Sequence, residues 1–303
     1  MSQEPDWDDL RVFLAVARAE SLSGAARALR LDPATVGRRI ARLEEALAAS
    51  LFLRSPQGYR PTAAGQRLMP SAEAAEQAVA GAASLGAPEG ALTGNFRIGA
   101  PDGCANYLLP QVCAALCDAH PGLEIQIVAL PRVFNLSKRE ADMAIAVSPP
   151  EAGRLTVQKL TDYRLSLAAH RDYLAARPPI RGVAALGGHR VIGYIPDMIF
   201  DKELDYLSEI GAETVPLASN SVSVQLNLVR AGAGVAIVHD FALPFAPGVV
   251  RVLAEDFALR RAFYLIRHAD DRRSDRLNRL AEALAQGIRH EVARLEAADV
   301  TEA

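Results

Sequence analysis

The chain lacks the features that mark several large classes of protein. Its apolar runs are interrupted by charged residues or glycine well before the roughly 20 residues that a membrane-spanning helix needs. It has three cysteines, an odd number without metal-ligand spacing, so neither a disulfide framework nor a zinc site is expected. The six histidines are scattered without a paired spacing. We therefore expect no metal and no other cofactor.

Signals for export and for catalysis are also missing. The first residues, MSQEPDWDD, are acidic and lack a hydrophobic signal core, so we expect a cytoplasmic protein without membrane association. The sequence contains no Gly-x-Ser-x-Gly, P-loop or dinucleotide fingerprint, and it suggests no catalytic residue. These absences predict a binding protein and not an enzyme.

The sequence does have an uneven distribution of charge. The net charge of the 303 residues is only −3, yet residues 11–67 contain ten arginines and four acidic residues. From residue 68 onward there are 23 basic and 28 acidic residues. A basic head followed by an acidic body is typical of a DNA-binding domain joined to a domain with another task.

A helix-turn-helix is predicted within the segment SLSGAARALRLDPATVGRRIARLEE, residues 21–45. In its first half, serine precedes apolar residues at helical spacing. Asp32-Pro33 separates the two helices, because proline fits the first turn of a helix but not its interior. The second helix is amphipathic and its polar face is basic. Such a helix, held against a partner, is the form that enters the major groove of DNA.

The DNA contacts are predicted from this second helix and from the loop that follows it. Arg38 and Arg39 are the candidates for groove contacts, whereas Arg42 lies nearer two glutamates and is interpreted as a support or a phosphate contact. Outside this motif, a solvated face with Arg–Glu pairs would be the better interpretation. The stretch RSPQGYR (54–60) is typical of a basic wing along the phosphate backbone. The predicted DNA-binding residues are Ser23, Thr35, Arg38, Arg39, Arg42, Arg54, Gln57 and Arg60.

The rest of the chain reads as a helical linker and an α/β body. Residues 62–85 are predicted to form one alanine-rich helix suited to packing against its own copy, and a hinge follows at 86–90. Strand candidates are 96–100, 123–129, 141–147, 165–169, 191–194, 235–238 and 263–266, and helical patterns are 108–119, 222–231 and 274–295. This alternation predicts an α/β body with largely parallel sheets and a cleft between two lobes.

The ordered pattern of residues resembles the LysR-type transcriptional regulators. In the head the resemblance rests on Leu10, Phe13, Val16, Ser21-Leu22-Ser23, Ala25-Ala26, Leu29, Ala34-Thr35-Val36, Ile40, Leu43-Glu44, Leu51-Phe52, Arg54 and Thr62-Ala63-Ala64-Gly65. A looser likeness runs through 108–110, 120–121, 140–145 and 228–236. The resemblance implies an N-terminal winged helix-turn-helix, mainly α, a long dimerising linker helix, and a two-lobed α/β, periplasmic-binding-protein-like effector domain.

The resemblance also implies partners. A homodimer or homotetramer would bind an interrupted palindrome in double-stranded DNA and respond to a small-molecule effector, and we expect RNA polymerase as a further partner. The expected domains are 1–60, 61–90 and 91–303, with lobe I at about 91–161 and 267–297 and lobe II at about 162–266. Gly37 departs from the pattern where the family commonly has serine, which removes a phosphate-contacting hydroxyl and costs up to about 1 kcal/mol of helix propensity.

Effector residues are expected where strand ends and helix starts converge between the lobes. The candidates are Pro101, Asp102, Gly103, Cys104, Arg132, Asn220, Ser221 and His239. A hydroxyl-rich helix start at 219–223 with Arg132 nearby would suit a carboxylate, although its serines are equally well explained as helix caps. Asp102 would instead favour an amine, so both charges of effector stay open.

Three alternative functions follow from parts of the sequence. The body alone could be a solute-binding protein, or an α/β enzyme with an accessory DNA-binding head. A cysteine-based redox regulator is the third alternative. Cys113 and Cys117 are interpreted as small core residues of a helix, so Cys104, near a helix start, is the one thiol that we expect to be reactive in that case.

Overall fold

The protein forms two compact units, residues 1–89 and 90–303, each with its own hydrophobic core. The structure is a computed structural model, and it describes residues 4–55, 58–82, 91–129, 141–150, 153–212 and 215–298. The predicted hinge at 86–90 lies outside these residues. Within the described ranges, no helix is both long and apolar enough to cross a membrane.

The first unit is a helical head with a short hairpin. Its elements are α1 (Trp7–Ala19), α2 (Leu22–Leu29), α3 (Pro33–Ala46), β1 (Phe52–Ser55), β2 (Gly58–Pro61) and α4 (Ala63–Ala82). The Ser21 side chain caps α2 by accepting the Gly24 N–H, and Asp32 caps α3. The helix boundary predicted at Asp32-Pro33 is confirmed, with proline in the first turn of α3.

The core of the head lies where α1, α2 and α3 meet the hairpin. The predicted inward face of α3 is confirmed, because Val36, Ile40 and Leu43 are at most 1% exposed. The rings of Phe13 and Phe52 pack with their centroids 5.2 Å apart. Full burial of side chains of this size contributes about 1.5–3 kcal/mol each, which is enough to hold a short recognition helix in place.

The second unit is built on one mixed sheet of nine strands within the described residues. These are β3 (Gly94–Ala100), β4 (Leu123–Ala129), β5 (Met143–Ala146), β6 (Leu155–His170), β7 (Val191–Gly193), β8 (Leu217–Ala218), β9 (Val235–His239), β10 (Val249–Arg251) and β11 (Leu259–His268). Their order is β4-β3-β5-β11-β6-β9-β7-β8, and β10 pairs with β6. The helices are α5 (Asp102–Tyr107), α6 (Leu109–Ala119), α7 (Arg171–Ala175), α8 (Val222–Arg230) and α9 (Asp275–Glu296).

The prediction of a largely parallel sheet is wrong for the centre of this sheet. β3 is parallel to β4 and β5, and β7 is parallel to β8 and β9, but β6 and β11 run antiparallel to all their neighbours. The sequence pattern showed only the apolar parts of these two strands, 165–169 and 263–266. Their remaining residues are mostly part-exposed and are held by the ladder between β6 and β11, so they carry no strong apolar signal.

The two long strands divide the sheet into halves and so position a site between them. Residues 264–266 of β11 pair with β5, whereas residues 165–169 of β6 pair with β9. The register of the β6–β11 pair shifts between Phe263 and Tyr264. One half therefore contains β3, β4 and β5, and the other contains β7, β8 and β9.

Candidate DNA-binding surface and effector cavity

The start of α3 carries a chain of hydrogen bonds that ends on an exposed arginine. Thr35 donates to the Asp32 carboxylate from its backbone N–H (2.8 Å) and from its hydroxyl (2.5 Å), and the Arg38 guanidinium donates to the Thr35 hydroxyl (2.8 Å). The hydrogen bond from the Thr35 hydroxyl is the main cause that lowers the pKa of Asp32. One guanidinium nitrogen of Arg38 is thus held by Thr35, while the side chain as a whole stays exposed to solvent.

Arg39 and Arg42 lie on the side of α3 that faces α1. Arg42 forms a two-pronged pair with the Asp9 carboxylate, both N–O distances being 2.5 Å, and Arg39 lies 3.1 Å from Asp8 and 3.8 Å from Asp9. Asp9 is only 2% exposed, so these guanidiniums neutralise a buried carboxylate. The hydrogen bond with Asp9 raises the pKa of Arg42.

Arg38 and Arg39 were both predicted to contact the groove, and the structure places them in different surroundings. Residues three apart on a helix share a face, so Arg39 lies beside Arg42 and with it joins α3 to α1. The sequence could not reveal this contact, because the partners Asp8 and Asp9 lie about 30 residues earlier in the chain.

The wing shows the same division between anchored and free arginines. Arg54 donates to Glu44 (3.0 Å) and lies 5.9 Å from the centroid of the Tyr59 ring, while Glu44 also accepts the Leu51 N–H (2.8 Å). Arg54 therefore helps to fasten the hairpin to α3. Arg60 is exposed and makes no ion pair with any part of the chain that the structure describes.

The other two predicted DNA-binding residues are Ser23 and Gln57. Ser23 is exposed on α2. Gln57 lies outside the described residues.

A small cavity lies between the two halves of the second unit, and the space between its walls, counted together with the open solvent at its mouth, is about 340 Å³. The structure brings six of the predicted effector residues to its wall, namely Pro101, Asp102, Gly103, Cys104, Asn220 and His239. Six lining residues were not predicted: Val147, Tyr194, Phe200, Leu204, Val222 and Phe263. Most of these are apolar and resemble core in the sequence, although Val147 and Tyr194 directly follow strands and could have been found from that position.

The remaining two predicted effector residues do not line this cavity. Ser221 is the N-cap of α8 and accepts the Val224 N–H (3.2 Å). Arg132 lies outside the described residues.

Asp102, the first residue of α5, reaches the first turn of α8. Its Oδ2 accepts hydrogen bonds from the Ser221 hydroxyl (3.0 Å), the Ser223 hydroxyl (2.9 Å) and the Ser223 N–H (2.9 Å). The Asn106 amide donates to Oδ1 (3.2 Å). A carboxylate from one half of the unit therefore caps a helix of the other half, where the helix dipole favours negative charge.

A second polar link joins the two halves. The Ser148 hydroxyl, just beyond β5, donates to the Asp201 carboxylate. Asp201 also accepts the Glu203 N–H (2.9 Å) and so caps the short 3₁₀ turn that leads to Leu204 in the cavity wall. The cavity is thus bounded by two contacts in which a carboxylate accepts from serine.

His239 is a buried, neutral wall residue. It is 6% exposed, and its ring centroid lies 4.8 Å from that of Phe241 and 5.3 Å from that of Tyr163. Burial lowers the pKa of His239 to about 4, although the nearby Asp102 opposes this shift. Gly103 lets the imidazole approach α5, since a Cβ there would lie 3.1 Å from His239 Cε1. Within the described ranges, neither ring nitrogen has a hydrogen-bond partner.

Two of the three cysteines, Cys104 and Cys113, lie in apolar surroundings that disfavour a thiolate. Cys104 is fully buried, and burial raises its pKa far above the usual range. Burial likewise raises the pKa of Cys113 to about 12. The burial of Cys104 disfavours its thiolate, which counts against the expectation that it is the reactive thiol of a redox regulator.

Comparison with known proteins places both units in one family. Residues 7–66 match the bacterial regulatory helix-turn-helix protein, lysR family, and residues 89–289 match the LysR substrate binding domain. The Mau operon transcriptional activator of Paracoccus denitrificans is 28% identical over 264 residues, covering 86% of this chain and 89% of that protein. A probable hydrogen peroxide-inducible genes activator of Mycobacterium avium is 27% identical over 275 residues, 85% of each chain.

The fold is shared with a solved full-length regulator. An OxyR variant from Pseudomonas aeruginosa superposes with a TM-score of 0.66 at 20% identity, covering 94% of this chain and 98% of that one. The two family matches together span most of the chain, and they coincide with the helical head and with the unit that holds the cavity. The chain therefore belongs to the LysR family of transcriptional regulators, which bind DNA through the helix-turn-helix and a small-molecule effector through the C-terminal domain.

Proposed function

We propose that the protein reads an interrupted palindrome in double-stranded DNA through the start of α3, with Arg38 and Thr35 at the bases. The observation that carries this proposal is the Asp32–Thr35–Arg38 chain, which fixes an exposed guanidinium at the N-terminal end of a recognition helix. Arg60 contacts phosphate, and Ser23 and Gln57 add polar contacts. Arg39, Arg42 and Arg54 hold the reading helix and the wing in place.

The cavity is the effector site, lined by Pro101, Asp102, Gly103, Cys104, Asn220 and His239, with Ser221 holding Asp102. Residues 1–60 form the DNA-binding domain, 61–90 the linker and 91–303 the effector domain. The protein acts in the cytoplasm, without catalysis, as a homodimer or homotetramer that pairs through α4. Effector binding alters how the halves of the effector domain meet along β6 and β11, which changes the operator footprint and the recruitment of RNA polymerase.

The proposal is tested by selecting duplexes from a random library with the purified protein and measuring binding to the selected and to random DNA. Arg38→Ala should weaken binding to the selected site by about 1–3 kcal/mol, and it should weaken binding to random DNA far less. Arg60→Ala should weaken binding to both alike and reduce the salt dependence, because a phosphate contact carries no sequence information.

Arg289→Ala is the matched control, since it removes an exposed arginine from α9 in the other unit. It should leave the affinity for both duplexes unchanged. If Arg38→Ala weakened binding to selected and random DNA equally, Arg38 would not be a base reader. If the selection enriched no sequence, the proposed sequence-specific regulation would be wrong.

A further inference from the structure

The cavity wall carries negative charge and no positive charge within the part of the chain that the structure describes. Asp102 is the one acidic residue of the wall, and the described lining contains no lysine or arginine. His239 does not supply a cation, since burial lowers its pKa to about 4 and keeps the imidazole neutral at pH 7. Among the described residues of this wall, an acidic ligand would therefore find no counter-charge, whereas a cation would find Asp102.

The donors that could hold a carboxylate ligand are already occupied. The Ser221 hydroxyl, the Ser223 hydroxyl and the Ser223 N–H at the first turn of α8 all donate to Oδ2 of Asp102 at 2.9–3.0 Å, beside the wall residues Asn220 and Val222. An anion at this helix start would have to displace Asp102 and leave its charge beside the anion's own.

Asp102 nevertheless keeps acceptor capacity for a ligand. A carboxylate offers about four lone-pair sites over its two oxygens. Among the residues that the structure describes, Oδ1 accepts only from the Asn106 amide, at 3.2 Å. An ammonium group could therefore be accepted at Oδ1 without disturbing the contacts of Oδ2.

The unpartnered imidazole of His239 indicates that the cavity is built for a ligand. His239 is 94% buried and lines the cavity, and neither of its ring nitrogens has a hydrogen-bond partner among the described residues. A neutral imidazole offers one donor and one acceptor. A ligand polar group in the cavity would complete this hydrogen bonding.

The rest of the wall suits an apolar, cationic molecule. Tyr194, Phe200 and Phe263 line the cavity with aromatic surface. Aromatic faces attract ammonium groups, and they pack well against apolar rings. Asp102 and these aromatic side chains thus both favour a ligand that combines an apolar part with a positive charge.

We propose that Asp102 sets the charge class of the effector, so that the cavity takes a small apolar or aromatic molecule bearing a protonated amine and excludes acids. Asp102 acts as an internal anion that occupies the start of α8, and it is also the acidic residue of the described cavity wall. This inference rests on the proposed function, in which this cavity is the effector site.

The test uses three probes of one shape and different charge: phenethylammonium, 2-phenylethanol and phenylacetate. Their binding to the full-length protein at pH 7 is measured by isothermal titration calorimetry. The wild type should bind phenethylammonium at least about tenfold more tightly than the other two, as expected for a charge-assisted hydrogen bond to Asp102. Asp102→Asn keeps an acceptor for the serines but loses the charge, and it should abolish this preference.

Asp102→Ala frees the donors of α8 and should reverse the order, so that phenylacetate binds more tightly than phenethylammonium. Asp118→Asn, on an exposed part of α6, is the control for loss of a distant carboxylate and should behave as the wild type. Thermal unfolding of each variant shows that it is folded. If Asp102→Ala does not fold, Asp102→Asn alone still tests whether the charge of Asp102 sets the preference for phenethylammonium. Any other order for the wild type, including no binding of phenethylammonium, overturns the inference.

The measurement contains no DNA, so it is independent of the test of the proposed function. A protein that shows the expected order of probes but selects no DNA sequence would retain the inference about the cavity and lose the proposed function. A protein that selects a DNA sequence but does not prefer phenethylammonium would retain the proposed function and lose the inference that the effector is an amine.

Discussion

Two aspartates at helix starts show how differently the head and the effector cavity are built. Asp32 caps α3, its own helix, and its partner Thr35 is three residues away. Asp102 caps α8 from α5, and its partners Ser221 and Ser223 are 119 and 121 residues away. The first carboxylate is exposed and organises one turn of helix, whereas the second is part-buried and joins two halves of a sheet. The same chemistry is thus local in one region and tertiary in the other.

The largest effect is expected for His239, which packs against the α5 start that carries Asp102. Its pKa falls from 6.5 to about 4 on folding, so between these pH values the unfolded chain binds a proton that the folded chain does not. The contribution of neutral His239 to the free energy of unfolding is fully present above about pH 6.5 and is lost as the pH falls toward 4. His239→Phe should remove up to about 3 kcal/mol of this pH dependence.

The measurement is urea unfolding of the full chain between pH 4.5 and 7.5, followed by circular dichroism. His290→Asn, at an exposed position of α9, is the control and should leave the pH profile as it is. An unchanged profile for His239→Phe would mean that His239 titrates normally in the folded protein.

The next effect concerns the tertiary cap itself. Asp102→Ala removes the acceptor of three donors at the start of α8 and should lower the free energy of unfolding of the second unit by about 2 kcal/mol, as expected for hydrogen bonds to a charged group. Asp118→Ala should stay within about 0.5 kcal/mol of the wild type, because its side chain is exposed. Equal stabilities of the two variants in urea denaturation would show that the contact across the cavity contributes little.

The local cap should contribute less. Asp32→Ala removes the hydrogen bonds from Thr35 and should lower the melting temperature of the head by a few degrees. Asp32→Asn should retain most of the stabilisation by the cap, because asparagine is also a good N-cap residue. Because folding lowers the pKa of Asp32 from 3.8, its contribution is present above that pH and is lost as the pH falls through the folded-state pKa. Trp7 on α1, the single tryptophan, reports this transition by fluorescence.

The smallest effect is a gain, from Gly37→Ala in the middle of α3. A Cβ at this position would lie 3.6 Å from Leu22 Cδ1, an ordinary contact, so the variant should gain about 0.5–1 kcal/mol of helix propensity. Gly24→Ala is the contrasting variant, because its Cβ would lie 2.7 Å from Ser21 Oγ and 2.9 Å from Ala19 Cβ. Trp7 fluorescence should show the first variant stabilised and the second destabilised, and the reverse order would contradict the packing of α2.

Sequence reasoning was strongest where the signal is short in range. The boundary at Asp32-Pro33, the inward face of α3 and the strands that end before the cavity were all predicted, because caps, prolines and apolar spacing act over a few residues. It failed for β6 and β11, whose outer parts are held by each other and not by burial. It also missed the aromatic wall, since apolar residues that face a cavity look the same in sequence as those that face a core.

The sequence by itself determined the helix-turn-helix, the likeness to the LysR family and a set of eight effector candidates, because periodicity, turns and helix caps are local properties of the chain. Only the tertiary structure decided which charges are free. It paired Arg39 and Arg42 with Asp8 and Asp9, left Arg38 exposed, and placed the Asp102 carboxylate on the start of α8. The physical reason is that an ion pair or a hydrogen bond depends on a distance of about 3 Å in space, which separation along the chain does not indicate.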